Sequence, residues 1–201
     1  MAKLFKISTD EISKKMEEQE KPKFEKDERF YIPERDKDGN FRAKIRFLTP
    51  ILENGKAGLP RVQEFSHAFK SRNGRFFNEI CPTTIHKECP ICLANKPYWE
   101  ENKDTARVKV GHRSRKNYFI SNILVIEDST HPENEGKVFI YKYPKTIKQF
   151  QDEYKTDEGK DFFCPNEGAV FRLKIWTKTD GERKYPQYDK SQFESPSPLC
   201  D

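Results

Sequence analysis

This chain is short of apolar residues, has no long apolar run, and carries no cysteine set suited to a disulfide framework. Apolar residues fill 34% of its 201 positions and charged residues 35%, so the core must be thin for the length. A bound metal is a common remedy where burial is limited. No stretch resembles the h-region of a signal peptide or is long enough to span a bilayer, which points to a soluble protein of a reducing compartment with no membrane partner. The five cysteines are odd in number, and their spacing suits a metal better than disulfides. No internal repeat is evident. Acidic residues, plentiful elsewhere, are absent from three basic stretches described below.

What the chain does have is Cys89-Pro90-Ile91-Cys92, with Cys81 eight residues before Cys89 and His67 fourteen before Cys81. Two thiolates on a Cys-x-x-Cys turn, a third thiolate and an imidazole make the tetrahedral Cys3His set of a structural zinc. Four protein ligands leave no position for a reacting water, so the metal would hold structure and do no chemistry. Spacing leaves two histidines in contention, His67 in Glu64–Phe69 and His86 between Cys81 and Cys89. Cys164 reads as a small buried residue and Cys200 as a terminal free thiol. A zinc nucleobase deaminase would show His-x-Glu and then Pro-Cys-x-x-Cys, but here His86-Lys87-Glu88 abuts Cys89 directly. The chain is therefore read as a binding protein and not an enzyme.

Aromatics are abundant, with sixteen Phe and eight Tyr in a chain of net charge +5, a balance that leans towards a polyanionic partner. Residues 1–20 read as an arm bearing a polar helix, with a capping box at Ser8 and Glu11, and residues 21–35 as a charged linker. Phe41 to Phe47 alternates strictly, putting Phe41, Ala43, Ile45 and Phe47 on one face and Arg42, Lys44 and Arg46 on the other. A face of three positives without an acid suits phosphates. In the same way Phe171, Leu173 and Ile175 oppose Arg172, Lys174, Trp176 and Lys178, and a tryptophan on a basic face suits base stacking. A turn at Asp180-Gly181 then leads to Tyr185 and Tyr188. The third stretch, Arg107 to Lys116, includes Arg113, Arg115 and Lys116 and runs into Tyr118-Phe119. Phe139, Tyr141 and Tyr143 share a face that fits either a core or a displayed surface, and Lys145–Tyr154 suits a short helix. Short alternating strands with few helices suggest a mainly β chain with α additions: an OB-fold, a five-stranded Greek-key barrel, with a zinc subdomain inserted at about residues 60–95. Basic strands interleaved with aromatics form the footprint of a single-strand binder. The alternative is a zinc-containing RNA-binding or transcription-associated module, since stacking tolerates RNA.

These residues resemble the single-stranded DNA-binding, helix-destabilising proteins of T-even-type bacteriophages. The resemblance is carried by Ser66-His67-Ala68-Phe69-Lys70, Cys89-Pro90-Ile91-Cys92, Asn122-Ile123-Leu124-Val125, Glu133-Asn134-Glu135-Gly136-Lys137-Val138-Phe139 and Cys164-Pro165-Asn166-Glu167-Gly168-Ala169. It implies an OB-fold core over residues 21–201 that binds single-stranded DNA in phage replication, recombination and repair, in the cytoplasm of the infected bacterial host. It also implies His67 as the fourth ligand of one zinc ion, and Arg46, Phe77, the Arg113–Lys116 run, Tyr141, Tyr185, Tyr188 and either Tyr118 or Phe119 as DNA contacts. Residues 1–20 would serve self-association along the strand through Lys3, Lys6, Ser8 and Thr9, although the basic cluster before Ser8-Thr9 is thinner than in that family. Phage replication and recombination proteins are the further partners implied. The family's long acidic C-terminal tail has no counterpart in a sequence ending Cys200-Asp201, so this chain is expected to melt duplex DNA readily.

Overall fold

The computed structural model describes residues 13, 27–51, 55–159, 161–181 and 183–199. The expected N-terminal helix, apart from Ser13, lies outside them, as do Lys3, Lys6, Ser8, Thr9 and Cys200.

The chain is mainly β, with eight strands among the described residues joined through antiparallel pairing: β1 (Phe41–Leu48), β2 (Val62–Lys70), β3 (Phe76–Ile80), β4 (Lys116–Asp128), β5 (Val138–Pro144), β6 (Ala169–Asp180), β7 (Arg183–Gln187) and β8 (Gln192–Pro196). Helices α1 (Pro90–Glu101) and α2 (Lys103–Val110) fall between β3 and β4, and α3 (Lys145–Glu158) between β5 and β6. Proline in the first turn of α1 suits a position whose N–H has no helical partner anyway. The side chain of Asn102 caps α2 by accepting from the N–H groups of Asp104 and Thr105. Helix α3 runs four residues past the expected Tyr154 and stops at Gly159, which takes the left-handed conformation that glycine adopts without steric cost.

Strand β4 organises the sheet because it is long enough to serve two partners on one edge. Residues 116–120 pair with β2 and residues 122–128 with β1, while β5 runs along residues 118–124. Since β5 overlaps both β1 and β2 along β4, those two strands must share the opposite edge. Between Lys44↔Glu127 and Ile45↔Val125 the register skips Ile126, a bulge that bends the strand.

The alternation read from the sequence holds at Phe41, Ala43, Ile45 and Phe47, all buried, and at Phe171, Leu173 and Ile175 opposite them. With Phe119, Ile123, Val125, Tyr143, Ile147 and Phe162 they form one core whose rings meet mostly edge-on or tilted. Tyr141 belongs to this core as well: it is 2% exposed and packs its edge on Tyr31, which corrects its expected role as a displayed stacking residue. Phe119, at 5% exposure, is corrected in the same way, because the period of the strand turns it inward and its neighbour Tyr118 outward.

Arg46 is the third correction. It alternates to the side opposite Phe47 as expected, but that side is not solvent there. The 161–168 segment and Ser197 close over it, leaving it 1% exposed. Its guanidinium donates to the carbonyls of Cys164 (3.1 Å) and Pro165 (3.4 Å) and to Ser197 Oγ (3.4 Å). Cys164 itself is only half-buried. Gly168 makes the closure possible: a Cβ there would stand 2.5 Å from the carbonyl oxygens of Phe162 and Cys164 and 2.9 Å from an Arg46 guanidinium nitrogen. Gly168→Ala is expected to lower stability by about 1–3 kcal/mol through overpacking, measured by urea unfolding.

Candidate functional site

Four side chains from three local elements converge between β2 and α1. His67 lies on β2, Cys81 directly follows β3, Cys89 caps α1, and Cys92 stands in its first turn. The N–H of Cys81 donates to the Phe65 carbonyl at 2.7 Å. Thr84 ties the following turn to the same residue, its hydroxyl accepting from the Phe65 N–H at 2.9 Å and donating to the Phe65 carbonyl at 3.1 Å. These bonds fix the chain on both sides of the first thiol. His67, Cys81 and Cys89 are buried and Cys92 is half-buried.

The ligand atoms all lie within 4.8 Å of one another. Cys81 Sγ is 3.7 Å from Cys92 Sγ, and His67 Nε2 is 3.4 Å from Cys89 Sγ and 3.5 Å from Cys92 Sγ. A tetrahedral zinc with Zn–S near 2.3 Å and Zn–N near 2.0–2.1 Å needs about 3.8 Å between sulfurs and about 3.5 Å between sulfur and nitrogen. The four residues can hold a metal ion, and both donor set and spacing are compatible with zinc. His67 Nδ1 is 2.9 Å from the carbonyl of Arg113. A carbonyl only accepts, so Nδ1 carries the proton and Nε2 is free to ligate. Burial opposes ionisation of Cys81, but bonds from Thr83 and the neighbouring thiols outweigh it and lower its pKa to about 6. Burial and the sulfurs of Cys81 and Cys89 push Cys92 up to about 12. A dication in the cluster would relieve that repulsion. His86 is outside the cluster: it is exposed at the left-handed end of the Pro82–Ile85 turn.

The polar and aromatic residues expected to bind a polyanion fall into separate groups. On the outer face of β1 and β6, Arg42 stands opposite Lys174 and Lys44 opposite Arg172. They line a cavity of about 550 Å³. The stretches Phe41–Phe47 and Ala169–Lys178 contain no acid, but acids arrive from other strands: Lys44 pairs with Glu127 at 2.5 Å, and Arg172 pairs with Glu194. Arg42 and Lys174 have no acidic partner among the described residues, and like charges opposite each other favour an anion between them. Trp176 continues this face, its indole N–H donating to Asp189 Oδ1 at 2.6 Å and its ring 4.9 Å from Lys190 Nζ. Tyr185 pairs in register with Lys178 and donates to Asp180 Oδ2 at 3.2 Å.

A second group forms where β2, β4 and β5 meet. Exposed Arg115 lays its guanidinium 4.2 Å over the Phe65 ring and donates to Thr83 Oγ1 at 3.0 Å. Lys116 is exposed, and Tyr118 faces outward with Lys142 Nζ 4.7 Å from its ring centre. Arg113 is committed to structure, donating to the buried Asn95 Oδ1 at 2.7 Å. Tyr188 is half-buried against the core, and burial raises its pKa. Phe77 is exposed beside Phe69, the rings 5.1 Å apart. Near the metal cluster a cavity of about 880 Å³ is lined by Lys87, Leu93, Lys96, Trp99 and Arg115.

Glu64, Phe65, Trp99 and Lys142 were not singled out from the sequence. For Lys142 a signal existed: once Tyr141 and Tyr143 turn inward, the lysine between them must turn outward.

Residues 37–201 match the family described as gp32 DNA binding protein like. The single-stranded DNA-binding protein of Enterobacteria phage T4 is 36% identical over 169 residues, covering 79% of this chain and 52% of that protein. The single-stranded DNA-binding protein of Enterobacteria phage T2 matches at the same identity and over the same shares. The chain thus spans about half the length of these curated relatives.

Proposed function

As the chain belongs to the family of gp32-like DNA-binding proteins, we propose that it binds single-stranded DNA without sequence preference, coating and protecting it in phage replication, recombination and repair. The setting is the cytoplasm of the infected bacterial host; among the described residues no helix is long and apolar enough to cross a membrane. The observation that carries the reading is the pairing of outward aromatics with basic groups on one sheet, Tyr118 with Lys142 and Trp176 beside Lys174. Bases stack on such rings while the cations neutralise phosphates. Arg42, Lys44, Arg172, Lys174, Arg115 and Lys116 are the phosphate contacts in this reading, and Tyr118, Trp176, Tyr185, Tyr188 and Phe77 the stacking residues.

The core is read as an OB-fold, supported by β1 pairing with both β4 and β6 and by a helix between β5 and β6. The segment at about residues 60–95, between β1 and β4, is the inserted subdomain, stapled by one structural zinc on His67, Cys81, Cys89 and Cys92. Residues 1–20 serve self-association along the strand through Lys3, Lys6, Ser8 and Thr9, and phage replication and recombination proteins are further partners.

A titration of labelled oligo-dT, the matching RNA and duplex DNA at several salt concentrations tests the binding. Single strands should bind most tightly, with a log–log salt slope of about −0.7 per phosphate contact. Arg42→Ala and Lys174→Ala should each make that slope shallower by about that amount. Equal affinity for duplex and single strands, with a flat salt response, would sink the reading.

A further inference from the structure

Resting on the single-strand reading above, we propose that Glu64 and Lys142 occupy a nucleotide subsite on Tyr118 in the free protein, and that Glu64 thereby sets how well the surface discriminates single strands from other polyanions. Strand pairing places the three side chains on one outward face from three strands. Glu64 stands directly opposite Tyr118 across β2 and β4, and Lys142 stands opposite Ile120, one step diagonal from Tyr118 across β4 and β5. Lys142 Nζ lies 4.7 Å from the Tyr118 ring centre and is ion-paired with Glu64. The Glu64 side chain is 13% exposed and that of Lys142 36%, so the carboxylate is a sheltered anchor and the ammonium the mobile partner.

Each member of this trio stands in for part of a nucleotide. The ammonium covers the ring face on which a base would stack, and the carboxylate holds the cation that a phosphate would meet. A base cannot lie on that face while the ammonium stays there. Lys142 must swing off the ring, and once free of Glu64 its charge is available to the phosphate of the entering nucleotide. Only a ligand that supplies both a free base face and a phosphate compensates for losing both contacts of the lysine. A duplex or a simple polyanion offers phosphate alone and leaves the ring contact unreplaced. Glu64 is thus a specificity-determining residue: it weakens every polyanion, but single strands least.

Glu64→Gln keeps the shape and removes the competing charge. It should tighten oligo-dT binding roughly three- to tenfold, the scale of one modest ion pair. Binding should gain about 0.7 in salt slope, because the exchanged ion pair becomes a full counterion release. Duplex DNA and heparin should gain more than oligo-dT, narrowing the preference. Lys142→Gln should bind oligo-dT more weakly with a shallower slope, and the double variant should follow Lys142→Gln. Thermal unfolding of each variant identifies the folded ones, and exposed Lys142 makes its variant a safe second arm. A folded Glu64→Gln that binds no tighter, or a Lys142→Gln that binds like the parent, overturns the proposal while leaving single-strand binding intact. A parent chain with no preference for single strands sinks the broader reading and this one with it.

Discussion

Chelating the metal from His67, Cys81, Cys89 and Cys92 is expected to unfold residues 62–113 while β1, β5, β6 and α3 stay folded. The reason is a division of the core. Among the described residues, no member of the main hydrophobic cluster comes from 49–118. In 62–113 the buried apolar residues are Cys81, Cys89, Ala106 and Val110, and two of these belong to the cluster that could hold a metal. Two small side chains, at about 25 cal/mol per Å² of buried apolar surface, cannot offset the ordering of some fifty residues. Metal binding can, since structural zinc contributes on the order of 10 kcal/mol or more in small modules. Elemental analysis should find one zinc per chain. After chelation, hydrogen exchange should lose protection in β2, β3, α1 and α2 and keep it in β1 and β6. Cys89→Ser and His67→Ala should behave like the chelated protein, and His86→Ala like the parent. Full protection of α1 without metal would show that packing alone holds the subdomain.

Arg46→Ala should destabilise the protein by about 2–4 kcal/mol, because it empties a packed volume and strips carbonyls of a charged donor. Arg46 is the largest fully buried side chain among the described residues, and its bonds tie β1 to Cys164, Pro165 and Ser197. Burial lowers its pKa, yet arginine stays charged at any working pH, so the site must keep supplying acceptors. Arg46→Met should recover part of the packing but leave the carbonyls of Cys164 and Pro165 short of a partner. Urea unfolding measures both losses. The salt slope of DNA binding, measured on folded protein, should not change in either variant, in contrast to Arg42→Ala. A shallower slope with unchanged stability would place Arg46 on the DNA after all.

Much of this molecule was legible in order along the chain. Residue types at their spacing specified the three thiols, and period-two alternation sorted Phe41, Ala43, Ile45 and Phe47 from Arg42 and Lys44, because a strand turns successive side chains to opposite faces. The same rule set Phe171, Leu173 and Ile175 against Arg172, Lys174 and Trp176. The choice of His67 over His86 needed more than spacing. The resemblance favoured His67, and the geometry shows why: β2 carries it beneath α1, with the Arg113 carbonyl turning its Nε2 to the thiols, while the Pro82–Ile85 turn carries His86 into solvent.

Alternation also has a limit, seen at Arg46, Tyr141 and Glu64. It says which side of a strand a residue occupies and nothing about what covers that side. Arg46 lies on the outer side as its position requires, but a segment more than a hundred residues later closes over it. The Phe139–Tyr143 face was ambiguous because tyrosine suits a core or a surface equally, and only packing against Tyr31 and the β1 ring set made it core. The basic stretches Phe41–Phe47 and Ala169–Lys178 contain no acid, so the sequence read them as open phosphate surface. Pairing with β4 and β8 brings Glu127 and Glu194 onto that surface, and β2 brings Glu64 to Lys142. The sequence by itself determined which side chains share a face of each strand and which donors suit a metal, because both follow from local geometry. Which faces are covered, and which charges are already paired, only the tertiary structure decided, because those partners come from strands far apart along the chain.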